Sequence, residues 1–386
     1  MKKIPHLLLL LLFCIAFNSC KKTVENVALP AVFNPSPNYK DGLTLSESFF
    51  VALPDNSFII ASKTESYTHL YKAVYLHYDE HFNFIDSTQM EEVYDYSNAV
   101  AMGSNVYSAH ARAKNASTNW RFNVLQTDYN YKPIQSSVNI LSDLNKSYSG
   151  YGKPLLVKLQ NGTLISGFNT IVSGKIAPCI SAFDPTNLTF KWVNDSLLFK
   201  PLGNYGNVLR AMGSDGNNLY VVVSYENGNG SPCFLYKLNE FGQLLWTKNL
   251  STNFVKEMLV EQDRIVFYNG NFGIVVDKEG NLLSNAVGPD YNLYPNGNSG
   301  YVGLRLTAQQ NPSSPSTKQY FAGVAQYNAN FELQQLKTFG DGVQNNSVLG
   351  KLANGNYVLV MNKYVNNAGE KLLFFKLDQN LNVLTN

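Results

Sequence analysis

The chain has 386 residues, of which 45% are hydrophobic, and its 30 basic and 28 acidic side chains give a formal net charge of +2. This balance offers no basic face to neutralise phosphates, which argues against a nucleic-acid-binding protein. The length alone allows two or three domains, but repeats spread along the chain favour one repeat domain.

The N-terminal residues have the pattern of a secretory signal. Lys2 and Lys3 precede an apolar run from Leu7 to Phe17, and Asn18-Ser19-Cys20 follows. The run is too short for a permanent transmembrane helix. We therefore expect a signal peptide at residues 1–19, whose removal leaves 28 basic and 28 acidic side chains.

The segment Phe17-Asn18-Ser19-Cys20 resembles the lipobox of bacterial lipoproteins, in the relaxed form of the Bacteroidetes type. The resemblance implies that Cys20 carries lipid and anchors the protein in the outer membrane. Lys21-Lys22 follows in place of the acidic cluster of surface-exported lipoproteins of this type, which favours the periplasmic side. The alternative is an ordinary signal peptide with an incidental cysteine.

Residues 20–41 are predicted to be the lipidated cysteine and a flexible tether. They contain Pro30, Pro35 and Pro37 and show no periodic pattern. The folded domain is predicted to occupy residues 42–386.

One strand-turn-strand pattern recurs along this domain. In its clearest copy, Phe234–Trp246, the turn Asn239-Glu240-Phe241-Gly242 separates two apolar arms. Seven such turns follow one another at intervals of 38 to 56 residues, and we call each run of chain around one of them a repeat. The turns are anchored by Asp79, Asp128, Asp184, Asn239, Asp277, Asn328 and Asp378.

The repeat length indicates a β-propeller. Four short strands in about 40 to 55 residues are typical of one propeller blade. Helical periodicity is nearly absent, which excludes a helical solenoid, and seven four-stranded units are too many for a two-sheet sandwich. The sequence therefore predicts an all-β fold, a seven-bladed β-propeller, with six or eight blades as alternatives.

Two of the repeats resemble those of quinoprotein (PQQ)-like propellers. The matching segments are Asp184–Trp192 and Asn239–Trp246, with Leu188 in place of the usual turn glycine in the first. The resemblance implies that Trp192 and Trp246, in fourth strands, dock against the next repeat. Propellers of this kind include dehydrogenases and a lipid-anchored scaffold of outer-membrane assembly, so the resemblance does not fix an activity.

The two faces of the predicted propeller differ in loop length. The turns between first and second strands and between third and fourth strands are short. The other face, which we call the long-loop face, carries the second-to-third loops at residues 110–119, 168–175, 225–231, 307–318 and 363–370, together with the connections between repeats. Long loops are where binding groups tend to lie, so this face is the predicted binding face.

Tyrosines and arginines near these loops are the candidate ligand-binding residues. Tyrosine offers a flat apolar ring with a hydrogen-bonding tip, and arginine suits an anion. The alternative is that the tyrosines pack between blades and that the arginines are solvated or paired. The candidates are Tyr96, Arg112, Tyr148, Tyr151, Tyr205, Arg210, Tyr225, Tyr294 and Arg305.

Known catalytic and metal motifs were not found. His77 and His81 lie on opposite arms of a turn, which predicts solvated residues instead of a zinc site. Asp128 and Asp378 begin calcium-like turns that lack the later glycine and acidic residue. We therefore expect no catalytic residue, metal or cofactor, and we expect Cys179 and Cys233 to be unpaired.

Three functions remain open. The first is a non-catalytic, monomeric, lipid-anchored propeller that binds a protein or glycan through the long-loop face. The second is a propeller hydrolase, lyase or dehydrogenase with its site at the mouth of the central channel. The third is a scaffold in outer-membrane assembly, which follows from the resemblance alone.

Overall fold

The computed structural model describes residues 23–27, 43–64, 72–90, 93–113, 120–150, 152–195, 206–226, 232–250, 252, 255–269, 272–286, 288–289, 291–297, 300–311, 314–339, 347–365 and 369–384. The predicted signal peptide and Cys20 lie outside these residues.

The described strands form six antiparallel sheets in chain order, with two parallel pairings added to them. The first sheet contains β2 (Leu43–Ala52), β3 (Phe58–Thr64), β4 (Lys72–Tyr78) and β5 (Phe84–Met90). The second contains β6 (Val93–Tyr96), β7 (Val100–Met102), β8 (Asn105–Ala113), β9 (Trp120–Thr127) and β10 (Pro133–Ser136). A short helix, α1 (Ile140–Asp143), follows.

The third sheet is the largest of the six. It contains β11 (Ser147–Tyr148), β12 (Leu155–Lys158), β13 (Leu164–Val172), β14 (Lys175–Phe183), β15 (Phe190–Asn194), β16 (Gly206–Ser214), β17 (Leu219–Glu226), β18 (Cys233–Leu238) and β19 (Leu244–Asn249). The fourth contains β20 (Glu257–Val260), β21 (Arg264–Tyr268), β22 (Gly273–Asp277) and β23 (Leu282–Ala286). The fifth contains β24 (Tyr291–Pro295), β25 (Gly300–Asn311), β26 (Ser314–Asn328), β27 (Leu333–Phe339) and, at its edge, β1 (Thr23–Val27). The sixth contains β28 (Ser347–Lys351), β29 (Tyr357–Val365) and β30 (Gly369–Leu377).

The all-β propeller fold is confirmed, but the predicted seven blades are wrong, as are the alternatives of six and eight. Counted as hydrogen-bonded sheets with at least four strands, the described residues form five blades. Two successive repeats share the nine-stranded third sheet, because Ile176 of β14 pairs in parallel with Gly206 of β16. The sixth sheet has only three strands. An anchored turn marks a hairpin, and it does not reveal which hairpins join into one sheet.

The innermost strands follow one another around an axis. Contacts join β2, β7, β12, β16, β20, β24 and β28 in that order, and β28 returns to β2. At this closure the Phe50 ring lies over Gly350, where an added Cβ would come within 2.1 Å of it. The Asn354 backbone N–H also donates to Asn56 Oδ1 at 2.8 Å, which joins the short turns of the last and first sheets.

Side-chain hydrogen bonds cap the anchored turns, as the sequence predicts. Asp277 Oδ1 accepts the backbone N–H groups of Glu279 and Asn281 at 3.0 and 2.7 Å. Asn239 does the same for Phe241 and Gln243. An Asp or Asn side chain satisfies turn donors that no strand partner reaches, so these turns need no metal ion.

The tryptophan docking implied by the quinoprotein resemblance is present. Trp192 Nε1 donates to the backbone oxygen of Glu240 in the next repeat at 2.9 Å. Its ring lies over Gly242, whereas Gly280 is covered by the Lys248 side chain together with the Trp246 ring. The two tryptophans therefore fix the spacing between neighbouring repeats.

The structure also bears on several further expectations from the sequence. Cys179 and Cys233 are buried and form no disulfide bond within the described residues, as predicted. Residues 307–318, which we expected to form a loop, lie mostly within the long hairpin of β25 and β26. Residues 23–27 of the predicted tether form β1, which pairs in parallel with β27. Within the described residues, no helix has the length and apolar character needed to cross a membrane.

Candidate functional site

A cavity of about 310 Å³ lies among the innermost strands. Its lining comes from every sheet, and much of it lies where the innermost strands begin. Lys256 precedes β20, Ser347 begins β28, and Asn98 and Lys153 precede β7 and β12. Since the innermost strands run from the long-loop face towards the short turns, the cavity lies towards the long-loop face.

Glu257 is the carboxylate of the described cavity lining. Its Oε2 accepts hydrogen bonds from the Tyr268 hydroxyl at 2.8 Å and from the Asn292 backbone N–H at 3.2 Å. Lys153 Nζ lies 3.7 Å from the other oxygen, Oε1. Burial raises the pKa of Tyr268 well above its usual value, and the adjacent Glu257 charge raises it further. The tyrosine therefore remains a hydrogen-bond donor that holds the carboxylate in place.

A β-bulge positions Arg210 in the cavity wall. The pairing of β16 with β17 shifts between Leu209 and Ala211, so Arg210 is the extra residue of the bulge. Its Nε donates to Ser224 Oγ at 2.8 Å. Bulges redirect side chains and are frequent beside functional sites.

A second irregularity occurs at Asn292, another lining residue. Asn292 has φ +48°, and the pairing of β24 with β25 shifts between Tyr291 and Tyr294. Asparagine tolerates this left-handed conformation better than most residues. The strained turn lets the Asn292 N–H reach Glu257, while the Tyr294 hydroxyl donates to the Leu349 oxygen at 3.0 Å.

Two serine hydroxyls of the lining have no hydrogen-bond partner among the described residues. They belong to Ser48, next to the inner strand residues Phe49 and Phe50, and to Ser347 at the start of β28. Buried hydroxyls in proteins are nearly always hydrogen-bonded. Both oxygen atoms are themselves buried, so they would contact a ligand only after rotation of the serine side chains towards the cavity.

The described residues of the lining include three cations, Lys153, Arg210 and Lys256, and one carboxylate, Glu257. The described residues contain no group of three or more histidine, cysteine, aspartate or glutamate side chains placed to hold a metal ion. The arrangement suits electrostatic and hydrogen-bonding recognition of a small group.

The predicted site residues fall into three groups. Arg210 and Tyr294 line the cavity. Tyr96, Tyr148 and Tyr225 are buried among other side chains, which is the packing role that the sequence left open. Tyr148, for example, donates to Asp95 Oδ2 at 3.1 Å and packs on Phe122.

The remaining candidates lie away from the cavity or outside the described residues. Arg112 is exposed on β8, and Arg305 is partly buried on β25. Tyr151, Tyr205 and Cys20 fall outside the described residues.

Sequence reasoning missed most of the cavity lining, including Lys153, Lys256, Glu257 and Asn292. These residues lie at or just before the first strand of a repeat, or within a bulge of that strand. A search of the residues that open each repeat would have found Lys153 and Lys256, because those positions face the axis of a propeller.

The prediction that His77 is solvated is wrong. His77 is buried, with Nε2 3.0 Å from Ser57 Oγ and Nδ1 3.2 Å from Asn130 Oδ1. His81 is exposed, as predicted. His77 therefore joins two neighbouring short turns, a contact that strand alternation alone does not reveal.

No protein-family model and no curated protein matches the chain. Similar solved structures include the polysaccharide lyase Uly1, with 8% identity over 92% of this chain and 96% of the lyase and a TM-score of 0.50. They also include Pyrococcus horikoshii acylaminoacyl peptidase, with 9% identity over 89% of this chain and a TM-score of 0.50, of which this chain covers only 52%. A protein of unknown function from Bacteroides caccae has 10% identity over 69% of this chain and 89% of that protein, with a TM-score of 0.39.

At these identities the likeness shows the propeller fold alone. The propeller fold is shown, but no family model matches the chain, so neither the quinoprotein-like family nor the lipoprotein type is shown.

Proposed function

We propose that this protein is a non-catalytic, lipid-anchored β-propeller that binds a protein or glycan partner through its long-loop face. The axial cavity receives one group of that partner. The observation that carries the proposal is the cavity itself, which is lined by charged, polar and aromatic side chains at the ends of the innermost strands nearest the long-loop face.

The cavity is preformed, which favours binding. Hydrogen bonds from Tyr268 and Asn292 hold Glu257, and the Arg210 guanidinium is oriented by Ser224. Polar groups that are already oriented lose little freedom on binding, so more of the contact energy appears as affinity. The cavity volume is at the small end of the range for ligand sites, about 300 to 1,000 Å³, so a chain end or a single side group fits better than an extended segment.

A glycan array and a pull-down from envelope extract test the proposal. The folded protein should retain specific partners, and K256A, which removes a cation of the lining, should weaken the retention. K132A is the matched control, because Lys132 is exposed at a short turn beside Asp128 and its substitution leaves the long-loop face intact. No partner from either source, or equal loss in K132A and K256A, contradicts the proposal. Cleavage of a retained glycan contradicts its non-catalytic part.

We propose further that lipid on Cys20 anchors the monomeric protein at the periplasmic side of the outer membrane. The support is the segment Phe17-Asn18-Ser19-Cys20 and the lysines that follow it. The variant C20S should lose incorporation of labelled palmitate and move from the membrane fraction to the periplasmic fraction. Unchanged labelling in C20S contradicts the anchor, and protease cleavage of the parent protein on intact cells contradicts the periplasmic side.

A further inference from the structure

We infer that the axial cavity recognises a negatively charged group on a sugar, a carboxylate or a sulfate, through Lys153, Arg210 and Lys256. The inference rests on the proposed function and adds the chemical class of the ligand group to it.

The first argument is charge. Three cations and one carboxylate line the same cavity among the described residues. Glu257 already accepts two hydrogen bonds on Oε2, and Lys153 Nζ is 3.7 Å from its Oε1, beyond hydrogen-bond length. Glu257 therefore offsets one charge without filling the cavity, and among the described lining residues three cations are present with one carboxylate. In a cavity partly shielded from water, such cations attract an anion more strongly than they would on an open surface.

The second argument concerns the two serine hydroxyls. Ser48 and Ser347 line the cavity on β2 and β28, and neither hydroxyl has a hydrogen-bond partner among the described residues. A serine hydroxyl donates one hydrogen bond and accepts others, so it can serve either an anion or a sugar hydroxyl. Both oxygens are buried, so a ligand reaches them only after the serine side chains rotate towards the cavity, and a ligand that carries both kinds of group would then satisfy them.

The third argument favours a sugar as the carrier of the charge. The cations share the lining with Phe50 and Tyr294, whose rings are partly exposed. Phe50 is held by stacking on Phe58, with ring centroids 4.9 Å apart. A flat, fixed ring beside hydroxyls and cations suits the apolar face of a sugar ring that also bears an acidic group.

Titration calorimetry of the full chain with glucuronate, glucose 6-sulfate and glucose tests the inference. The two acidic sugars should bind at least about tenfold more tightly than glucose, because only they make charge-assisted hydrogen bonds to the cations of the lining. Comparison of glucuronate with glucose 6-sulfate distinguishes the two sources of charge. Raising the salt concentration should weaken binding of both acidic sugars.

Three variants should change the affinity for glucuronate, two of them downwards and one upwards. K153A and K256A should each weaken glucuronate binding about five- to tenfold, because each removes an attracting charge. E257Q should strengthen it several-fold, because it removes a repelling charge and keeps an oxygen for Tyr268 and Asn292. A purely structural role for Glu257 predicts loss of binding or no change. K132A, with its thermal midpoint checked alongside the others, should match the parent protein.

The outcomes separate the two proposals. If glucose binds as tightly as glucuronate, or if E257Q weakens glucuronate binding or leaves it unchanged, the inference is overturned while partner binding through the long-loop face stands. If the acidic sugars do not bind but the array and the pull-down retain partners, the inference is again overturned and the proposed function stands. If the array and the pull-down are also empty, the proposed function fails as well.

Discussion

At the residue scale, the packing of neighbouring repeats depends on the residue with positive φ in each anchored turn. Every repeat has such a residue. It is glycine only at Gly242 and Gly280, and these two are the turns covered by Trp192 and Trp246 of the preceding repeat. In the other repeats it is the large, buried side chain of Phe82, Tyr131, Leu188, Phe331 or Leu381.

The glycine and the large side chain are two ways of filling the same space between neighbouring repeats. A large turn residue fills it from the following repeat, and a side chain over a turn glycine fills it from the preceding repeat. Tyr131 stacks on Tyr75 of the preceding repeat with ring centroids 3.9 Å apart, and Phe331 lies over Gly273. Where the turn has glycine, the preceding repeat fills the gap, with Trp192 at Gly242 and with Lys248 and Trp246 at Gly280. A fourth-strand tryptophan occurs only in the two repeats whose following turn has a glycine.

The substitution G242A should therefore destabilise the protein in two ways, through a clash of the new Cβ with the Trp192 ring and through the positive φ of the backbone. An added Cβ at Gly242 would lie 2.8 Å from the Trp192 ring, whereas Gly174, which also has positive φ, has no atom within 4 Å of an added Cβ. We expect G174A to cost about 1 kcal/mol from the left-handed backbone alone, and G242A to cost about 1 to 3 kcal/mol more. Urea denaturation of both variants measures the difference in the free energy of unfolding. Equal losses would show that Trp192 does not constrain this turn.

His110 makes stability depend on pH in the weakly acidic range. Its Nε2 lies 2.7 Å from Ser108 Oγ, and its buried Nδ1 has no hydrogen-bond partner among the described residues. Burial, followed by the nearby charge of Arg112, lowers the pKa of His110 from 6.5 to about 3. As pH falls from 6.5 towards 3, the unfolded chain binds a proton that the folded protein does not bind. The free energy of unfolding therefore decreases by up to about 1.4 kcal/mol per pH unit in this window.

The variant H110Q should lose this pH-dependent decrease even if its stability at neutral pH is lower than that of the parent protein. Chemical denaturation between pH 7 and pH 4.5 measures the slope. H81Q is the control, because His81 is exposed at a short turn. If H110Q keeps the slope of the parent protein, buried His110 is not its source.

At the scale of the element, the anchored turns should make the fold sensitive to strong acid. The backbone hydrogen bond from Asn281 lowers the pKa of Asp277 below 3.8, and that from Thr186 does the same for Asp184. Burial alone would raise the pKa of Asp79, but hydrogen bonds from Asn83 and His81 bring it below 3.8 as well. A lowered carboxylate pKa contributes stability that is fully present above 3.8 and is lost as pH falls through the folded value.

The variant D277N separates the cap from its charge. Asn239 and Asn328 already anchor equivalent turns, so asparagine keeps the hydrogen bonds from the backbone N–H groups and removes the titration, while the Asn281 amide loses its acceptor at Oδ2. We expect D277N to resemble the parent protein at pH 7 and to lose less stability between pH 4 and pH 2.5. Guanidinium denaturation at the two acidic pH values measures this loss. Identical losses in both proteins would mean that the turn charges are not coupled to folding.

At the scale of the whole molecule, stability depends on closing the ring. The first and last sheets share one hydrophobic cluster that includes Phe58, Phe82, Val348, Val360 and Phe374. At the outer side of this contact, Lys376 Nζ lies 3.4 Å from Glu80 Oε2. This ion pair is partly exposed and contributes little to stability. The apolar contact therefore provides most of the stability of the closed ring.

A double-mutant cycle at Gly350 and Phe50 tests the closure. An added Cβ at Gly350 would lie 2.1 Å from the Phe50 ring, so G350A should cost about 1 to 3 kcal/mol by overpacking. In the F50A background the ring is absent, and the same substitution should cost much less. Thermal unfolding of the four proteins gives the coupling energy. A cost of G350A that is the same in both backgrounds would show that Phe50 does not limit the approach of the last sheet to the first.

The sequence predicted local structure well. Anchors such as Asp277 and Asn239 were located because a turn needs a side-chain acceptor and a positive-φ residue at fixed spacing, and both are visible in the residue order. The cavity was mostly missed, because Arg210 and Tyr294 were found by residue type while Lys153, Lys256 and Glu257 lie at strand starts with no local signature.

By itself, the sequence determined the all-β class, the anchored turns and the general propeller architecture, since these depend on alternation and turn chemistry over a few residues. The tertiary structure decided how many sheets the hairpins form, which tyrosines pack inside, and which side chains meet at the axis. Those features depend on pairing between distant segments, such as Ile176 with Gly206 and Glu257 with Tyr268, and separation along the chain does not encode such contacts.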